Sequence, residues 1–249
     1  MVLAVIPARW GSTRFPGKPL CQISGKPMIQ WVWERARLCR ALERLVVATD
    51  DRRIRETCGR FGAEVVMTSP DLPSGTDRVA EVALKFTGVD IVVNIQGDEP
   101  LLDPAVVDAV IGKLKQSPDL DMATAAAPAG EEIATQPDIV KVVTDRDGRA
   151  LYFSRAPIPY RRDPGAGREP KFVFYRRHVG LYAYRPDFLL RVVAAGPCPL
   201  ESIEKLEQLR ALYLGGRVGV VDVEWSGMAV DRPEDVRLVE KELRLSGMA

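Results

Sequence analysis

The chain has 249 residues, of which 46% are hydrophobic and 28% are charged, and its formal net charge at pH 7 is +1. This composition is ordinary for a soluble globular protein, and the length allows one large α/β domain or two small ones. The near-zero net charge excludes a global field that would attract nucleic acid, a membrane surface or an acidic partner. No apolar run approaches the roughly 20 residues that cross a bilayer.

The cysteines and the opening segment bear on the cellular compartment. The four cysteines lie far apart and form no CxxC pair, which argues against a zinc site and against a disulfide framework. The opening segment MVLAVIPARW lacks the charged region of a secretory signal. We therefore expect a reduced, soluble, cytoplasmic protein.

The first 120 residues alternate short apolar strands with amphipathic helices of about ten residues. The predicted strands are Val2–Ile6, Leu45–Ala48, Glu64–Met67 and Ile91–Ile95. One predicted helix begins at Pro27, and three others cover Asp51–Phe61, Thr76–Phe86 and Pro104–Leu114. This order predicts right-handed βαβ units and a mostly parallel sheet in an α/β fold. Ligands bind beyond the carboxyl ends of such strands, so the loops after Ile6, Ala48 and Ile95 are expected to rim the site.

After about residue 120 the alternation loosens. The predicted strands are Asp121–Ala126, Val140–Thr144, Ala150–Phe153 and Val179–Tyr184, and the predicted helices are Glu201–Leu214 and Pro233–Leu245. The stretch Pro157–Pro170 is rich in Pro, Gly and Arg and is interpreted as a mobile loop or arm. We interpret the chain as one α/β domain, 1–249, with a nucleotide-binding half at about 1–120 and a smaller mixed-sheet half at about 121–249.

The loop after the first strand, residues 7–18, carries three cations, two glycines and two hydroxyls in the sequence PARWGSTRFPGK. A triphosphate requires backbone N–H groups that approach closely, together with guanidinium and ammonium groups that offset its charge. The loop is neither a Walker A motif nor a GxGxxG turn. Phosphate binding and an ordinary basic surface loop are both open interpretations of these residues alone.

Two acidic segments are candidates for a metal site. Asp98 follows a buried strand in QGDEP, where a hard carboxylate suits Mg²⁺, but it also fits a turn residue or a cap before Pro104. Asp231 in VDRPED fits a ligand or the N-cap of the last helix. In SGTDR, Ser74 or Thr76 also fits a helix cap.

The segment ARWGSTRFPGKPL resembles the opening loop of the sugar nucleotidyltransferases that use CTP, and QGDEP, VDRPED and SGTDR resemble three further motifs of that family. The resemblance implies a three-layer α/β fold of the nucleotide-diphospho-sugar transferase type. It implies a triphosphate-binding loop, Mg²⁺ held by Asp98 and Asp231, and a turn that reads cytosine through Gly75 and Arg78. The implied nucleotide-binding residues are Pro7, Ala8, Arg9, Arg14, Lys18, Gly75, Arg78, Gln96, Gly97 and Asp98, and the implied catalytic residues are Arg9, Arg14, Lys18, Asp98 and Asp231.

The second half contains candidates for binding a sugar acid. Arg155 follows a predicted strand, which suits an anchor for a carboxylate, and the only histidine, His178, begins another, where a structural role is the usual one. Glu204, Glu207 and Gln208 are spaced to share one face of the predicted helix Glu201–Leu214, either as acceptors for sugar hydroxyls or as a solvated polar face.

The segments ALYFSRAPIP, RHVGLY and LESIEKLEQLR resemble those of the CMP-KDO synthetase family, which activates 3-deoxy-manno-octulosonate (KDO). The match covers nearly the whole chain and is weakest at Pro157–Pro170. It implies a homodimer formed through the second half. CMP-sialic acid synthetases share the opening loop but not these segments. The implied sugar-binding residues are Gln96, Arg155, His178, Tyr182, Glu207 and Gln208.

The reaction implied by the resemblance is attack of the anomeric hydroxyl of KDO on the α-phosphorus of CTP, which gives CMP-KDO and pyrophosphate for lipopolysaccharide biosynthesis. Such a transfer depends mainly on positioning and charge neutralisation. Activation of another sugar acid (sialic acid or an amino-substituted KDO) and a non-catalytic nucleotide-binding protein are the alternatives. A dinucleotide-dependent oxidoreductase is disfavoured because GxGxxG is absent.

Overall fold

The computed structural model describes residues 1–11, 15–162, 175–225 and 227–248. The strands are β1 (Val2–Ala8), β2 (Gln22–Ile23), β3 (Lys26–Pro27), β4 (Arg44–Thr49), β5 (Glu64–Met67), β6 (Ile91–Asn94), β7 (Met122–Ala129), β8 (Lys141–Thr144), β9 (Ala150–Ser154), β10 (Tyr175–Tyr184) and β11 (Val218–Asp222). The α-helices are α1 (Met28–Ala36), α2 (Arg52–Arg60), α3 (Gly75–Ala83), α4 (Pro104–Gln116), α5 (Glu131–Ala134), α6 (Pro186–Ala195), α7 (Pro199–Glu204), α8 (Gln208–Tyr213) and α9 (Asp235–Leu245).

The fold is mixed α/β with a mainly parallel central sheet, which confirms the predicted fold class. The chain divides into two compact units, residues 1–108 with 226–249, and residues 109–225. The interpretation of the chain as a single domain with halves that meet near residue 120 stays a prediction.

The first unit contains four parallel strands in the order β6-β1-β4-β5. β1 is buried over nearly its whole length and β6 over all of it, as continuous apolar runs in parallel sheets are. The four predicted strands are confirmed, with ends within two residues of the predicted ones. The carboxyl ends of β1, β4 and β6 therefore lie at one edge of the sheet.

Side-chain caps fix the helix starts that follow β4 and β5. The Asp51 carboxylate accepts a hydrogen bond from the Arg53 backbone N–H at 2.8 Å and caps α2. The Ser74 hydroxyl accepts one from the Asp77 N–H at 3.2 Å and caps α3. Both are standard N-cap bonds, in which a side-chain oxygen satisfies a free N–H of the first turn. The capping role proposed for Ser74 is therefore confirmed.

The chain end of the first unit packs on its opening segments. Val230, Val239 and Leu243 form a buried apolar cluster with Ile23, Met28 and Trp31. The helix α9 begins at Asp235, two residues after the predicted start at Pro233. This packing holds the segment before α9 in place, and the Val230 N–H donates to the Asp98 carbonyl at 2.9 Å.

The second unit contains the mixed sheet predicted for the second half. β7 pairs antiparallel with β10 and parallel with β11, while β8 and β9 form an antiparallel pair. The helix α6 and the strand β11 were not predicted. α6 begins with Pro186 at its first turn, a helix-start signal that the sequence pattern offers.

The predicted helix Glu201–Leu214 is wrong as one continuous element. It is two short helices, α7 and α8, and Lys205 between them adopts the left-handed conformation with φ 56° and ψ 45°. Left-handed backbone ends a helix. Glu204 therefore lies at the end of α7, and Glu207 and Gln208 lie at the start of α8, so the three side chains do not share one helical face.

The four cysteines are all free. Among the residues that the structure describes, no helix has both the length and the apolar character needed to cross a membrane.

Candidate active site

The carboxyl edge of the first unit's sheet carries a pocket built from five separate segments. It is lined by the end of β1, the short 3-10 helix that starts at Lys18, the start of α1, the first turn of α3 and the loop after β6. The lining residues are Pro7, Ala8, Arg9, Lys18, Pro19, Met28, Gly75, Arg78, Gln96, Gly97 and Asp98. These include every nucleotide-binding residue suggested by the sequence except Arg14, which lies outside the described residues.

Two pocket residues, Pro19 and Met28, were not predicted. Both follow the opening loop, and Met28 is fully buried at the start of α1. The only sequence signal for a role in the pocket was their position in the segments GKPL and KPM, close to the opening loop. Their apolar side chains face the pocket beside charged groups, which is the usual composition of a small-molecule site.

The loop after β6 touches the end of β1 at the base of the pocket. The Ile95 N–H donates to the Val5 carbonyl at 3.0 Å, which extends the parallel pairing of the two strands beyond its last residue pair. A Cβ atom on Gly97 would lie 2.9 Å from the Pro7 carbonyl oxygen. Glycine at this position therefore allows the loop after β6 to approach the end of β1.

The ends of the opening loop are fastened to each other around Trp10. The Gly17 N–H donates to the Trp10 carbonyl at 3.1 Å, and the indole ring of Trp10 lies against Gly17. The Arg53 guanidinium stacks on the Trp10 ring, 3.4 Å from the ring centroid, and also forms an ion pair with Asp51 at 2.6 Å. Cation–π stacking of this kind contributes about 0.5–2 kcal/mol. This clamp fixes the backbone from which Lys18 extends.

We expect Gly17→Ala to weaken this clamp. Gly17 has φ 71°, and a Cβ there would lie 2.9 Å from the Trp10 ring, so the substitution adds left-handed strain and a steric contact that together cost about 1–3 kcal/mol. Thermal unfolding measures the loss, and the KM for the nucleotide is expected to rise. Gly25→Ala is the control, because Gly25 has φ 80° but nothing within 4 Å of a Cβ; an equal rise in KM for both variants would contradict a specific role for the Trp10 contact.

Lys18 joins the two acidic residues that the sequence suggested for metal binding. Its Nζ atom donates to Asp98 Oδ2 at 2.7 Å and lies 3.6 Å from Asp231 Oδ1. Lys18 is the most enclosed of the three, with 15% of its side chain exposed against 29% for Asp98 and 60% for Asp231. Residues from three distant parts of the chain therefore form one charged cluster at the pocket.

The alternative capping roles of the two aspartates are wrong. The cap at the start of α4 is Asp103, whose Oδ1 accepts from the Ala105 N–H at 2.9 Å. Before α9, the N-cap position is Glu234, and no side chain among the described residues caps the helix; the Asp231 N–H donates to Asp235 Oδ2 at 2.9 Å, so Asp231 is not the N-cap. Both candidate metal ligands thus keep their side chains for the cluster with Lys18.

Arg78 lies at the inner wall of the pocket and is nearly fully buried. Its guanidinium donates to the Thr68 hydroxyl and to the Ser69 carbonyl, and its second terminal nitrogen lies 3.5 Å from Asp50 Oδ2. The Asp50 Oδ1 atom is buried without a hydrogen-bond partner in the described chain. Arg78 is thereby held rigidly, as a residue that reads a bound group must be.

In the second unit, Arg155 is bound to the backbone around it. Its Nε donates to the Glu204 carbonyl at 2.8 Å, and its terminal nitrogens donate to the Pro137 carbonyl at 3.0 Å and the Lys205 carbonyl at 3.5 Å. A guanidinium has five N–H donors, so two have no partner within the described part of the chain. The Glu204 carboxylate accepts from the Ser154 hydroxyl at 2.7 Å and the Arg155 N–H at 3.0 Å, and so holds the segment rather than facing a ligand.

His178 is held neutral inside the second unit. Its Nε2 lies 2.9 Å from the Thr124 hydroxyl, which itself donates to the Leu181 carbonyl at 2.8 Å. Since that hydroxyl has one hydrogen, it accepts from His178, which assigns the Nε2–H tautomer. The ring packs on Phe153 and Tyr182, with centroids 4.9 and 5.5 Å away. Burial lowers the pKa of His178 to about 3.

This pKa predicts a loss of stability as the pH falls below neutral. The folded pKa of about 3 lies below the unfolded value of about 6.5, so the unfolded chain binds the extra proton between these values. The stability conferred by neutral His178 is therefore present above about pH 6.5 and declines toward pH 3, by at most about 1.4 kcal/mol per pH unit. Urea unfolding between pH 5 and 7 measures this slope, and His178→Asn, which removes the only histidine, is expected to flatten it. An unchanged slope in that variant would refute the assignment.

Three further predicted sugar residues lie on β10 and at the start of α8. Tyr182 is on β10 and contacts His178, Glu207 precedes α8, and Gln208, the first residue of α8, is buried. Glu204 is not part of this set, because its carboxylate accepts hydrogen bonds from Ser154 and Arg155.

Comparison with known proteins gives a consistent result. A family model described as "Cytidylyltransferase" matches residues 3–220. Proteins named 3-deoxy-manno-octulosonate cytidylyltransferase are 55% identical in Pseudomonas syringae pv. tomato, over 95% of this chain and 96% of theirs, and 54% identical in Pseudomonas fluorescens, over the same shares. The solved structure of a CMP:2-keto-3-deoxy-manno-octonic acid synthetase complexed with CTP superposes with a TM-score of 0.92 at 40% identity, and covers 98% of this chain and 99% of that one. The chain therefore belongs to the cytidylyltransferase family, alongside the 3-deoxy-manno-octulosonate cytidylyltransferases.

Proposed function

We propose that this chain transfers CMP from CTP to the anomeric hydroxyl of KDO and releases pyrophosphate, in the biosynthesis of lipopolysaccharide. The observation that carries the proposal is the pocket in which cationic residues, two glycines and the Asp98 carboxylate converge, with the Asp231 carboxylate 3.6 Å from the Lys18 ammonium. The relatives that are named for this reaction match the chain over nearly its full length. Membership of the family makes the chain a nucleotidyltransferase.

Arg9 and Lys18 are proposed to hold the triphosphate, with Arg14 beside them in the opening loop. Arg9 is exposed at the pocket and makes no ion pair within the described ranges, so its guanidinium is available for phosphate oxygens. Fixed cations at the β- and γ-phosphates favour pyrophosphate as the leaving group. Gly75 and Arg78, at the first turn of α3, are proposed to read the cytosine base.

Asp98 and Asp231 are proposed to hold Mg²⁺. Among the described residues no group of three or more His, Cys, Asp or Glu side chains forms a protein-only metal cage. Two carboxylates fit this ion, because Mg²⁺ is usually bound by one or two carboxylates together with substrate phosphates and water. Held by these carboxylates, the ion would supply charge neutralisation to the transferred phosphoryl group and would help to orient the sugar acid.

The second unit is proposed to bind the sugar acid. The two free donors of Arg155 suit a carboxylate, which accepts two parallel N–H bonds from one guanidinium. Neutral His178 suits a sugar hydroxyl better than a charged group, since its Nδ1 atom is an acceptor in the Nε2–H tautomer. Tyr182, Glu207 and Gln208 are proposed to contribute further polar contacts. A second role for Gln96, at the sugar as well as the nucleotide, belongs to the same proposal.

A cytoplasmic homodimer is proposed for the assembled enzyme. The second unit exposes large apolar side chains on neighbouring elements, with Ile203 on α7 at 79%, Tyr213 on α8 at 58% and Leu151 on β9 at 61%. A contiguous exposed apolar surface marks an interaction site, and these three side chains are proposed to belong to one. Light scattering of the purified protein measures the mass, and a monomeric mass at micromolar concentration would contradict the dimer.

The test of the function is pyrophosphate release from the purified protein with CTP, Mg²⁺ and KDO, beside sialic acid and an EDTA control. We expect release that requires both KDO and the metal. Release with sialic acid instead would keep the nucleotide pocket and overturn the sugar assignment. No release with any sugar acid, including an amino-substituted KDO, would favour a non-catalytic nucleotide-binding protein.

A further inference from the structure

The ammonium group of Lys18 occupies the place where the proposed function puts a metal ion. In that proposal Lys18 binds the triphosphate, and Asp98 and Asp231 bind Mg²⁺. In the structure, however, the Lys18 Nζ atom lies between the two carboxylates, 2.7 Å from Asp98 Oδ2 and 3.6 Å from Asp231 Oδ1. The positive charge between the aspartates is therefore supplied by the protein itself.

A metal ion and this ammonium cannot occupy the position together. Mg²⁺ binds oxygen at about 2.0–2.1 Å and demands near-ideal octahedral geometry. An ion that bridges Asp98 and Asp231 would take the place of the Nζ atom, which lies 2.7 Å from Asp98 Oδ2 and 3.6 Å from Asp231 Oδ1, and a divalent and a monovalent cation repel strongly at such close range. Lys18 must leave before both carboxylates bind the ion.

The backbone of Lys18 is fixed, whereas its side chain can move. The Lys18 N–H donates to the Phe15 carbonyl at 3.2 Å, and the Lys18 carbonyl accepts from the Cys21 N–H at 3.1 Å. The preceding residue, Gly17, is held against Trp10. Lysine carries its charge on a flexible four-carbon stem, so the ammonium can turn within the pocket while the loop stays in place.

We propose that Lys18 is an exchangeable counter-ion, which neutralises Asp98 and Asp231 in the empty enzyme and moves to the triphosphate when the metal enters. This inference rests on the proposed function. It makes metal binding and nucleotide binding cooperative, because the triphosphate draws away the ammonium that competes with the ion. By linkage, each ligand then raises the affinity for the other.

The test measures Mn²⁺ binding to the nucleotide-free enzyme by the loss of the free-ion paramagnetic resonance signal. We expect Lys18→Met and Lys18→Gln to bind Mn²⁺ more tightly than the wild type, by about tenfold, because the local charge becomes one unit more negative. Lys18→Arg keeps the charge and is expected to stay near the wild type. Lys85→Met, which removes an exposed lysine paired with Glu81, is the control for net charge.

The outcomes distinguish failure of the Lys18 exchange from failure of the proposed function. Equal Mn²⁺ affinity in the wild type, Lys18→Met and Lys18→Gln would overturn the exchange. If Lys18→Met binds more tightly and the double variant with Asp98→Asn loses that gain, the exchange at this carboxylate pair is supported. Pyrophosphate release by the wild type is measured separately, so an active enzyme with no affinity gain refutes only the role of Lys18, whereas an inactive one refutes the proposed function.

Discussion

Asp98→Asn is expected to lower kcat/KM for pyrophosphate release by at least about a hundredfold. Removal of one of two metal carboxylates withdraws several kcal/mol of transition-state stabilisation, and each 1.4 kcal/mol is about tenfold in rate. The fold is expected to stay intact. The Val230 N–H donates to the Asp98 backbone carbonyl, which the substitution leaves unchanged, and the ion pair with Lys18 is partly exposed and contributes at most about 1 kcal/mol.

The measurement is pyrophosphate release at saturating Mg²⁺, with thermal unfolding as the check on folding. Asp71→Asn is the matched control, because Asp71 is an exposed carboxylate in the same unit that does not line the pocket. Near wild-type turnover in Asp98→Asn would refute the metal assignment of this residue. Excess Mg²⁺ is expected to restore little activity, because the lost ligand charge cannot be supplied by more of the ion.

Gly97→Ala is expected to impair both the pocket and the fold. A Cβ atom would lie 2.9 Å from the Pro7 carbonyl oxygen and 3.5 Å from Ile6 Cγ2. The first of these neighbours is backbone at the end of a buried strand, which cannot turn aside as a side chain can. Overpacking of this kind costs about 1–3 kcal/mol, and a shift of the loop after β6 is expected to lower kcat/KM by at least about tenfold through lost positioning.

Gly59→Ala supplies the comparison for this variant. Gly59 lies within α2, and a Cβ there would meet nothing within 4 Å. Because alanine is favoured over glycine inside helices, this variant is expected to gain up to about 1 kcal/mol of stability and to keep its activity. Denaturant unfolding and pyrophosphate release measure both variants. Wild-type activity in Gly97→Ala would show that the close approach of the loop after β6 to the end of β1 is not required.

The strands and helices of the first unit could be predicted from the sequence because each is specified locally. β1 and β6 are short apolar runs, and α2 and α3 begin with the capping residues Asp51 and Ser74. In parallel sheets both faces are covered, so hydrophobic runs of this length identify the strands without knowledge of their partners. The position of the pocket could also be predicted. The order of elements implies a parallel sheet, and ligands bind such sheets beyond the carboxyl ends of the strands.

The second unit was predicted less well, and the break between α7 and α8 shows the reason. The periodic pattern of Glu201–Leu214 is that of one helix, and lysine is not a residue that signals a left-handed position. The carbonyls of Glu204 and Lys205 accept hydrogen bonds from the Arg155 guanidinium, a residue distant in the chain. A tertiary contact thus satisfies backbone groups that a continuous helix would have satisfied itself.

The sequence by itself determined the α/β class, the strands that carry the site, the family and nearly all of the pocket residues, because motifs and short-range periodicity lie within a few neighbouring positions. Only the tertiary structure decided that the segment before α9 meets the loop after β6, where the Val230 N–H donates to the Asp98 carbonyl. It also decided that Lys18 lies between the two candidate metal ligands. These outcomes depend on distances between segments far apart in the chain, which hydrophobic pattern and local propensity do not encode.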